Sequence, residues 1–317
     1  MASLKEIKGR IASVNSTLKI TSAMKMVSSA KLRKAQNAIG NMVPYQALMG
    51  RILRDLMEGD VVGGEARATF SDLSDGVYTS GREETRRVAL VCFSSNASLC
   101  GAFNSNVARE ANKVIAEYRS KGVEVVVFGV GKKISDTLRK AGYPSQGDYN
   151  AMASKPSYEA AADLGKLLSD GFVKGEWDKV EFIYNHFRNA ASQPTVRETY
   201  LPLDVKAAMD STISPRGDKG REELKETPSR KISDVQFIVE PDRLGQIDVL
   251  LPKVMLLKIY TVLLDSQAAE HAARTLAMQT ATDNGEDLLA ALTLEYNKGR
   301  QQKITNELLD LQGGSTE

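Results

Sequence analysis

No proline follows Pro252 in this chain of 317 residues, and the apolar residues beyond it keep a helical period. Val254, Leu257, Leu264, Ala268, His271 and Ala272 recur at helical spacing, and Leu288, Leu289, Leu292, Ile304, Leu308 and Leu311 continue the pattern. From about Asp242 the chain therefore reads as one helix of about 60 residues, a rod of roughly 90 Å at about 1.5 Å per residue. Helices in globular domains average about 11–12 residues. A helix several times longer cannot bury a narrow apolar stripe by itself and needs another helix beside it.

The one segment of comparable length lies at the other end. Residues 3–57 read as a helix in which Ile7, Ile11, Val14 and Leu18 are spaced four, three and four apart, the seam of a coiled coil. The stripe then moves onto Ile20, Met24 and Val27 and resumes at Leu32, Ala35 and Ile39. Ser22, Ala23, Ser28, Ser29 and Ala30 keep the middle slim, which lets another backbone come close. Pro44 is expected to kink or interrupt this helix near its far end. The simplest geometry is an antiparallel coiled coil made from the two ends of the chain. The longer C-terminal helix should then overhang the N-terminus at its tip.

Between the helices the pattern changes period. Residues 58–86 hold Gly59, Gly63, Gly64, Gly76 and Gly81 among acids and small polar residues and read as a linker. Strands are expected over 87–94, 123–130, 179–186 and 195–203, and helices over 104–120, 132–141 and 158–174, with Asn104 as a cap for the first helix. The near-continuous apolar run at 123–130 is that of a strand covered on both faces of a parallel sheet. This alternation describes a small Rossmann-like α/β domain over 87–204. Residues 205–231 mix Pro215, Gly217, Gly220 and Pro228 with dense charge and read as a mobile loop. The fold class is thus α/β, with a long antiparallel coiled coil (1–57 and 232–317) and a small α/β domain between its arms.

Charge is placed unevenly. The chain carries a net +2, yet residues 1–34 hold eight lysines and arginines against the single acid Glu6. Such a local excess suits an acidic partner surface, or else a solvated helix face. No apolar run approaches the ~20 residues that cross a bilayer, and the basic N-terminus lacks the apolar stretch of a signal peptide. Cys92 and Cys100 fit no zinc or redox spacing and read as reduced thiols.

The chemical motifs are near misses. Gly129-Val130-Gly131-Lys132-Lys133 resembles a phosphate loop, but a Walker loop requires Gly at 126 and Ser or Thr at 133, where Val126 and Lys133 stand. A dinucleotide fingerprint would need Gly or Ala at 134, which is Ile134. His186 and His271, the only histidines, belong to no metal-spaced cluster. No catalytic, cofactor-binding or metal site is expected.

The specific signals are at the ends. Ile11-Ala12-Ser13-Val14, Lys19-Ile20-Thr21, Ala23-Met24-Lys25-Met26-Val27 and Ala30-Lys31-Leu32 resemble the N-terminal signature of the gamma subunits of F-type ATP synthases. Ala277-Met278, Ala281-Thr282-Asp283-Asn284, Tyr296-Asn297-Lys298-Gly299-Arg300-Gln301 and Ile304-Thr305-Asn306-Glu307-Leu308 resemble the family's C-terminal signature. Leu99-Cys100-Gly101-Ala102-Phe103-Asn104 and Glu240-Pro241-Asp242 match two landmarks between them. The chain departs from the family where Ser95-Asn96-Ala97-Ser98 replaces a usual Ser-Asp-x-Gly, and where 58–86 and 205–231 are longer than usual.

The resemblance implies a central rotor shaft without cofactor or catalytic site of its own. It implies three alpha and three beta subunits around the coil, with the epsilon subunit and the membrane c ring at the foot. It also implies a peripheral place on the cytoplasmic face of the cell membrane, reached through the c ring. Met24, Lys25, Arg300, Gln301 and Thr305 are the residues it points to as ring contacts, with seam packing inside the chain as the other use of Met24. Two other classes fit less well. A nucleic-acid-binding coil would interleave aromatic residues with its basic ones, and the basic stretch 1–34 has none. An α/β enzyme with helical arms lacks the glycine motif it would need.

Overall fold

The computed structural model describes residues 3–58, 77–82, 84–203 and 243–313. Most of the expected linker, the expected loop at 205–231 and the Glu240-Pro241-Asp242 landmark lie outside the described residues. In chain order the elements are α1 (Leu4–Glu58), β1 (Arg87–Phe93), α2 (Phe103–Ser120), β2 (Glu124–Val130) and α3 (Lys132–Lys140). They continue with α4 (Asn150–Ser154), α5 (Tyr158–Lys174), β3 (Lys179–Asn185), β4 (Thr195–Leu201) and α6 (Arg243–Gly313).

The two end helices are 55 and 71 residues long. α1 is not interrupted at Pro44, one of the two outcomes expected there, and α6 likewise runs through Pro252. A proline removes one helical hydrogen bond. The buried side chains Gln46, Met49 and Leu53 that follow Pro44 hold the helix in place across that gap. The short α4 was not anticipated; five residues are too few to show a period.

Contacts divide the chain into two compact units, one of 1–30 with 274–317 and one of 31–273. The second is built on a four-stranded sheet in the order β2-β1-β3-β4. The first three strands are parallel, and β4 runs antiparallel beside β3. Alternate residues of β1 face opposite layers, as a period of two requires. Ala89, Val91 and Phe93 pack with Leu164, Leu168 and Phe172 of α5 and with Met255, Ile259 and Val262 of α6. Val88, Leu90 and Cys92 pack with Val107, Ala111 and Val114 of α2 and with Ile134 and Leu138 of α3. The sheet is thus covered on both faces, which is why β1 and β2 read as nearly unbroken apolar runs. Within this unit Ala35 and Ile39 of α1 meet Leu264 and Ala268 of α6, and Leu53 and Leu56 meet Ile247 and Leu251. Numbers climb on one helix as they fall on the other, so the two run antiparallel.

A buried ion network ties the far side of the sheet together. Glu181, 1% exposed, accepts hydrogen bonds from Tyr118 Oη at 2.9 Å and Arg197 Nε at 2.8 Å, and its carboxylate lies 2.6 Å from Lys179 Nζ. Burial alone would push the Glu181 carboxyl up, but Arg197 and Lys179 outweigh it and hold the group below the usual carboxylate range. Asp178 is held low in the same way, against a burial effect, by Arg82 and the Arg86 and Arg87 amides. A depressed carboxylate stabilises the fold above its ordinary pKa, and that contribution is lost as pH falls through the folded value. Acid unfolding should therefore set in below about pH 4.5. Arg197→Ala should cost about 3 kcal/mol at neutral pH, because Glu181 keeps only Lys179 and Tyr118. It should also flatten the acid limb of a plot of urea midpoint against pH. An unchanged midpoint would mean that the network adds nothing.

Candidate functional site

The first unit is a two-helix coil with a defined register. Thr282 Oγ1 donates to Thr21 Oγ1 at 3.0 Å. A methyl group added at Gly285 would lie 2.7 Å from Leu18 Cδ2, and one at Gly299 would lie 3.1 Å from Leu4 Cδ2. As the α1 number falls from 21 through 18 to 4, the α6 number climbs from 282 through 285 to 299. The helices are antiparallel, and glycine at 285 and 299 makes room for leucine across the seam. Leu4 faces Gly299, and beyond it every described side chain of α6 from Arg300 to Leu309 is exposed, the expected overhang.

The seam differs from its sequence reading in the middle. Ile20 is 60% exposed and Val27 55%, whereas Thr21 and Ser28 are buried. The four-three spacing set by Ile7, Ile11, Val14 and Leu18 continues through Thr21, Lys25 and Ser28 to Leu32, Ala35 and Ile39 and never shifts. Apolarity misled because the seam positions here carry small or polar side chains while Ile20 and Val27 face out. On α6 the seam runs through Met278, Thr282, Gly285, Leu289, Leu292, Tyr296 and Gly299. Leu288, Ile304 and Leu308, expected on the apolar stripe, are exposed.

Of the expected contact residues, Lys25 is half-buried at a seam position and Met24 half-buried beside it, and Arg300, Gln301 and Thr305 are exposed on the overhang. Thr305 Oγ1 donates to the Gln301 carbonyl at 2.9 Å, a bond within its own helix. These two groups of residues lie far apart along the coil. What the sequence reading missed is the set of outward apolar side chains on the same unit: Ile20, Met26, Val27, Leu276, Leu288 and Leu294. The signal was available in principle, since each falls off a strict heptad.

In the second unit the phosphate-loop resemblance is closed from within. The amide hydrogens that begin α3, free in a phosphate-binding loop, are all spent. Lys132 N donates to Asn96 Oδ1 at 2.8 Å, Lys133 N to the Ser95 carbonyl at 3.2 Å and Ile134 N to Ser94 Oγ at 3.0 Å. Gly131 adopts φ 108°, and a side chain there would strike the Ser94 carbonyl. The glycine therefore serves close backbone packing rather than a ligand.

The same contacts account for the loop that departs from the family pattern. Asn96 uses both ends of its amide: Oδ1 accepts from Lys132, and Nδ2 donates to the Asn150 carbonyl at 2.8 Å and to Ser154 Oγ. An aspartate could accept from Ser154 Oγ but could not donate to the Asn150 carbonyl. Asn104 does not cap α2, contrary to expectation; the cap position is Ala102, with no side-chain bond. Asn104 instead accepts from Ser95 N at 3.0 Å and donates to Ser95 Oγ at 2.8 Å and Cys100 Sγ at 3.2 Å, stitching the loop. Burial pushes the Cys92 thiol up, out of the reactive range. Among the described residues no His, Cys, Asp or Glu group is arranged to hold a metal ion, and no helix is long and apolar enough to cross a membrane. Calorimetric titration of the purified chain with MgATP should give no one-to-one binding at micromolar concentration; such binding would contradict the closed loop.

A family profile described as ATP synthase matches residues 3–316. The chain is 49% identical over 316 residues to the ATP synthase gamma chain of Phocaeicola vulgatus, and 46% identical over 316 residues to that of Bacteroides fragilis, covering 99% of both chains in each case. It is 41% identical to the gamma chain of Flavobacterium johnsoniae, covering 99% of this chain and 98% of the relative. Its fold is that of a chain in the Euglena gracilis mitochondrial ATP synthase OSCP/F1/c-ring structure, with a TM-score of 0.60 at 19% identity over 99% of this chain and 93% of the other. A chain from the rotor of the same enzyme has a TM-score of 0.58 at 19% identity, covering 95% and 98%. Full-length identities near one half carry the assignment, and the shared arrangement of end helices around an α/β unit agrees with it: the chain belongs to the gamma-chain family of bacterial F-type ATP synthases.

Proposed function

We propose that this chain is the central rotor shaft of an F-type ATP synthase and couples ion-driven rotation of a c ring to ATP synthesis or hydrolysis on surrounding alpha and beta subunits. The observation that carries the reading is the outward apolar surface of the first unit. A two-helix coil that leaves Ile20, Met26, Val27, Leu276, Leu288 and Leu294 exposed needs surrounding protein to cover them. The seam is already filled by other residues, so these side chains are spare. The basic excess of residues 1–34 adds attraction to an acidic sleeve.

The chain itself is non-catalytic in this reading. A shaft without three-fold symmetry inside a nearly three-fold ring shows each beta subunit a different face. Each face favours a different beta conformation and nucleotide affinity, so turning the shaft moves those states around the ring. Met24, Lys25, Arg300, Gln301 and Thr305 are the proposed ring contacts. The α/β unit forms the foot, with the epsilon subunit and the c ring as partners, and holds the chain peripherally at the cytoplasmic face of the cell membrane. The names of the gamma-chain relatives, and the F1/c-ring and rotor assemblies in which the structural neighbours stand, support this reading.

Two engineered disulfides should behave oppositely in the assembled complex. Leu18→Cys with Gly285→Cys links the two helices at facing positions and should leave coupled turnover close to normal. A bond from Lys298→Cys to a cysteine on a facing alpha or beta residue, with Cα atoms about 5–6 Å apart, should stop multi-turn ATP hydrolysis until it is reduced. Full turnover with that shaft-to-ring bond formed would make the chain a static stalk.

A further inference from the structure

The strand order gives the sheet a topological switch point. The connection from β1 leads to β2 on one side, and the next crossover returns to β3 on the other side of β1. Open parallel sheets hold ligands outside the carboxyl ends of the strands at such a switch point. Here that position lies at the ends of β1 and β3. It is bounded by Cys100 and Phe103 after the first strand and by His186 and Phe187 after the second.

The crevice is filled by the chain itself. Asp265 of α6 is 4% exposed. Its Oδ2 accepts from His186 Nδ1 at 2.6 Å and its Oδ1 accepts from the Phe187 amide at 3.0 Å. Both oxygens are thus held by the segment that leaves β3. Next to Asp265 and His186 in the chain, Leu264 and Phe187 belong to one apolar cluster with Phe103, Cys100, Ala268, Ala269 and Ala272 and with Ala35 and Ile39 of α1. Asn185 Nδ2 donates to the Phe103 carbonyl at 2.9 Å, and Thr195 Oγ1 donates to Asn185 Oδ1 at 2.6 Å, so the walls of the crevice are themselves pinned.

We propose that Asp265, seated as an internal carboxylate ligand on His186 and the Phe187 amide, is a positioning clasp that keeps the long C-terminal helix and the α/β unit turning as one body under load. The proposal rests on the shaft reading. Apolar contacts resist separation of a helix from a sheet but resist sliding poorly, because they have no preferred direction. A carboxylate gripped by two donors in a rigid crevice does resist sliding. The clasp therefore matters when torque passes between the α/β unit and α6, and much less when the foot turns freely.

The test compares loaded and unloaded turnover in the assembled enzyme. Asp265→Ala should lower gradient-driven ATP synthesis in membrane vesicles by about three- to tenfold, while hydrolysis by the detached alpha–beta–gamma complex stays within about twofold of normal. Formate or acetate should partly restore synthesis, because the emptied crevice still presents the His186 ring and the Phe187 amide. His186→Ala should give the same loss, and the double variant little more. If Asp265→Ala does not assemble, Asp265→Asn keeps the volume and removes the charge, and the same loss under load is expected of it. Normal synthesis by an assembled Asp265 variant would overturn the clasp, as would equal loss of synthesis and detached hydrolysis without rescue by formate. Either outcome in an enzyme that the shaft-to-ring disulfide still stops would leave the shaft reading intact; an enzyme indifferent to that disulfide would remove the shaft reading itself.

Discussion

Two helices of 55 and 71 residues cannot stand alone in water, and everything else in this protein follows from how each finds cover for its stripe. In the unit made by the chain ends the cover is mutual. Ile7, Thr21, Ser28, Met278 and Leu292 are buried along one seam. Glycines at 285 and 299 sit opposite leucines, which sets the register and lets the backbones approach. A seam with so many small and polar members buries little apolar area per turn, so most of the surface of the coil remains available to other proteins.

In the unit that holds the sheet the same helices are covered differently. Met255, Ile259 and Val262 of α6 lie against one sheet face, while Leu264 and Ala268 share a cluster with Ala35 and Ile39 of α1. The helix thus serves at once as the outer layer of an α/β sandwich and as one strand of a coil. That double use explains why the crevice at the ends of β1 and β3 is filled by protein. A helix packed across it brings Asp265 within reach of His186 and Phe187. The strand-to-helix turn at Gly131 is closed for a related reason, since its amide hydrogens are taken by Ser94, Ser95 and Asn96.

Much of this was legible in the residues, and the failures are instructive. The strands of the sheet stand within a residue or two of their expected bounds; β1 and β2 were legible because burial on both faces leaves nearly unbroken apolar runs. The middle of the N-terminal seam was misread because Ile20 and Val27 are more apolar than Thr21 and Ser28, and periodicity weighs hydrophobicity rather than geometry. Asn104 carries the cap residue type at a helix start, yet its amide is drawn into the Ser95–Cys100 loop, a contact nine residues long for Ser95 that local propensity cannot see. Pro44 marks a break in a local reading, but packing on the residues beyond it overrides the loss of one hydrogen bond.

By itself the sequence determined that the chain ends are long helices needing partners, that an α/β sheet lies between them, and that no nucleotide motif is complete. These are properties of period, length and residue type, each carried within a short window of the chain. Only the tertiary structure decided the antiparallel register of the coil, which apolar side chains face outward from it, and that the open end of the sheet is closed by Asp265. Those depend on pairs such as Thr21 with Thr282 and His186 with Asp265, far apart in the chain and brought together by packing. No local pattern encodes such a pair, because either member alone is compatible with an exposed side chain.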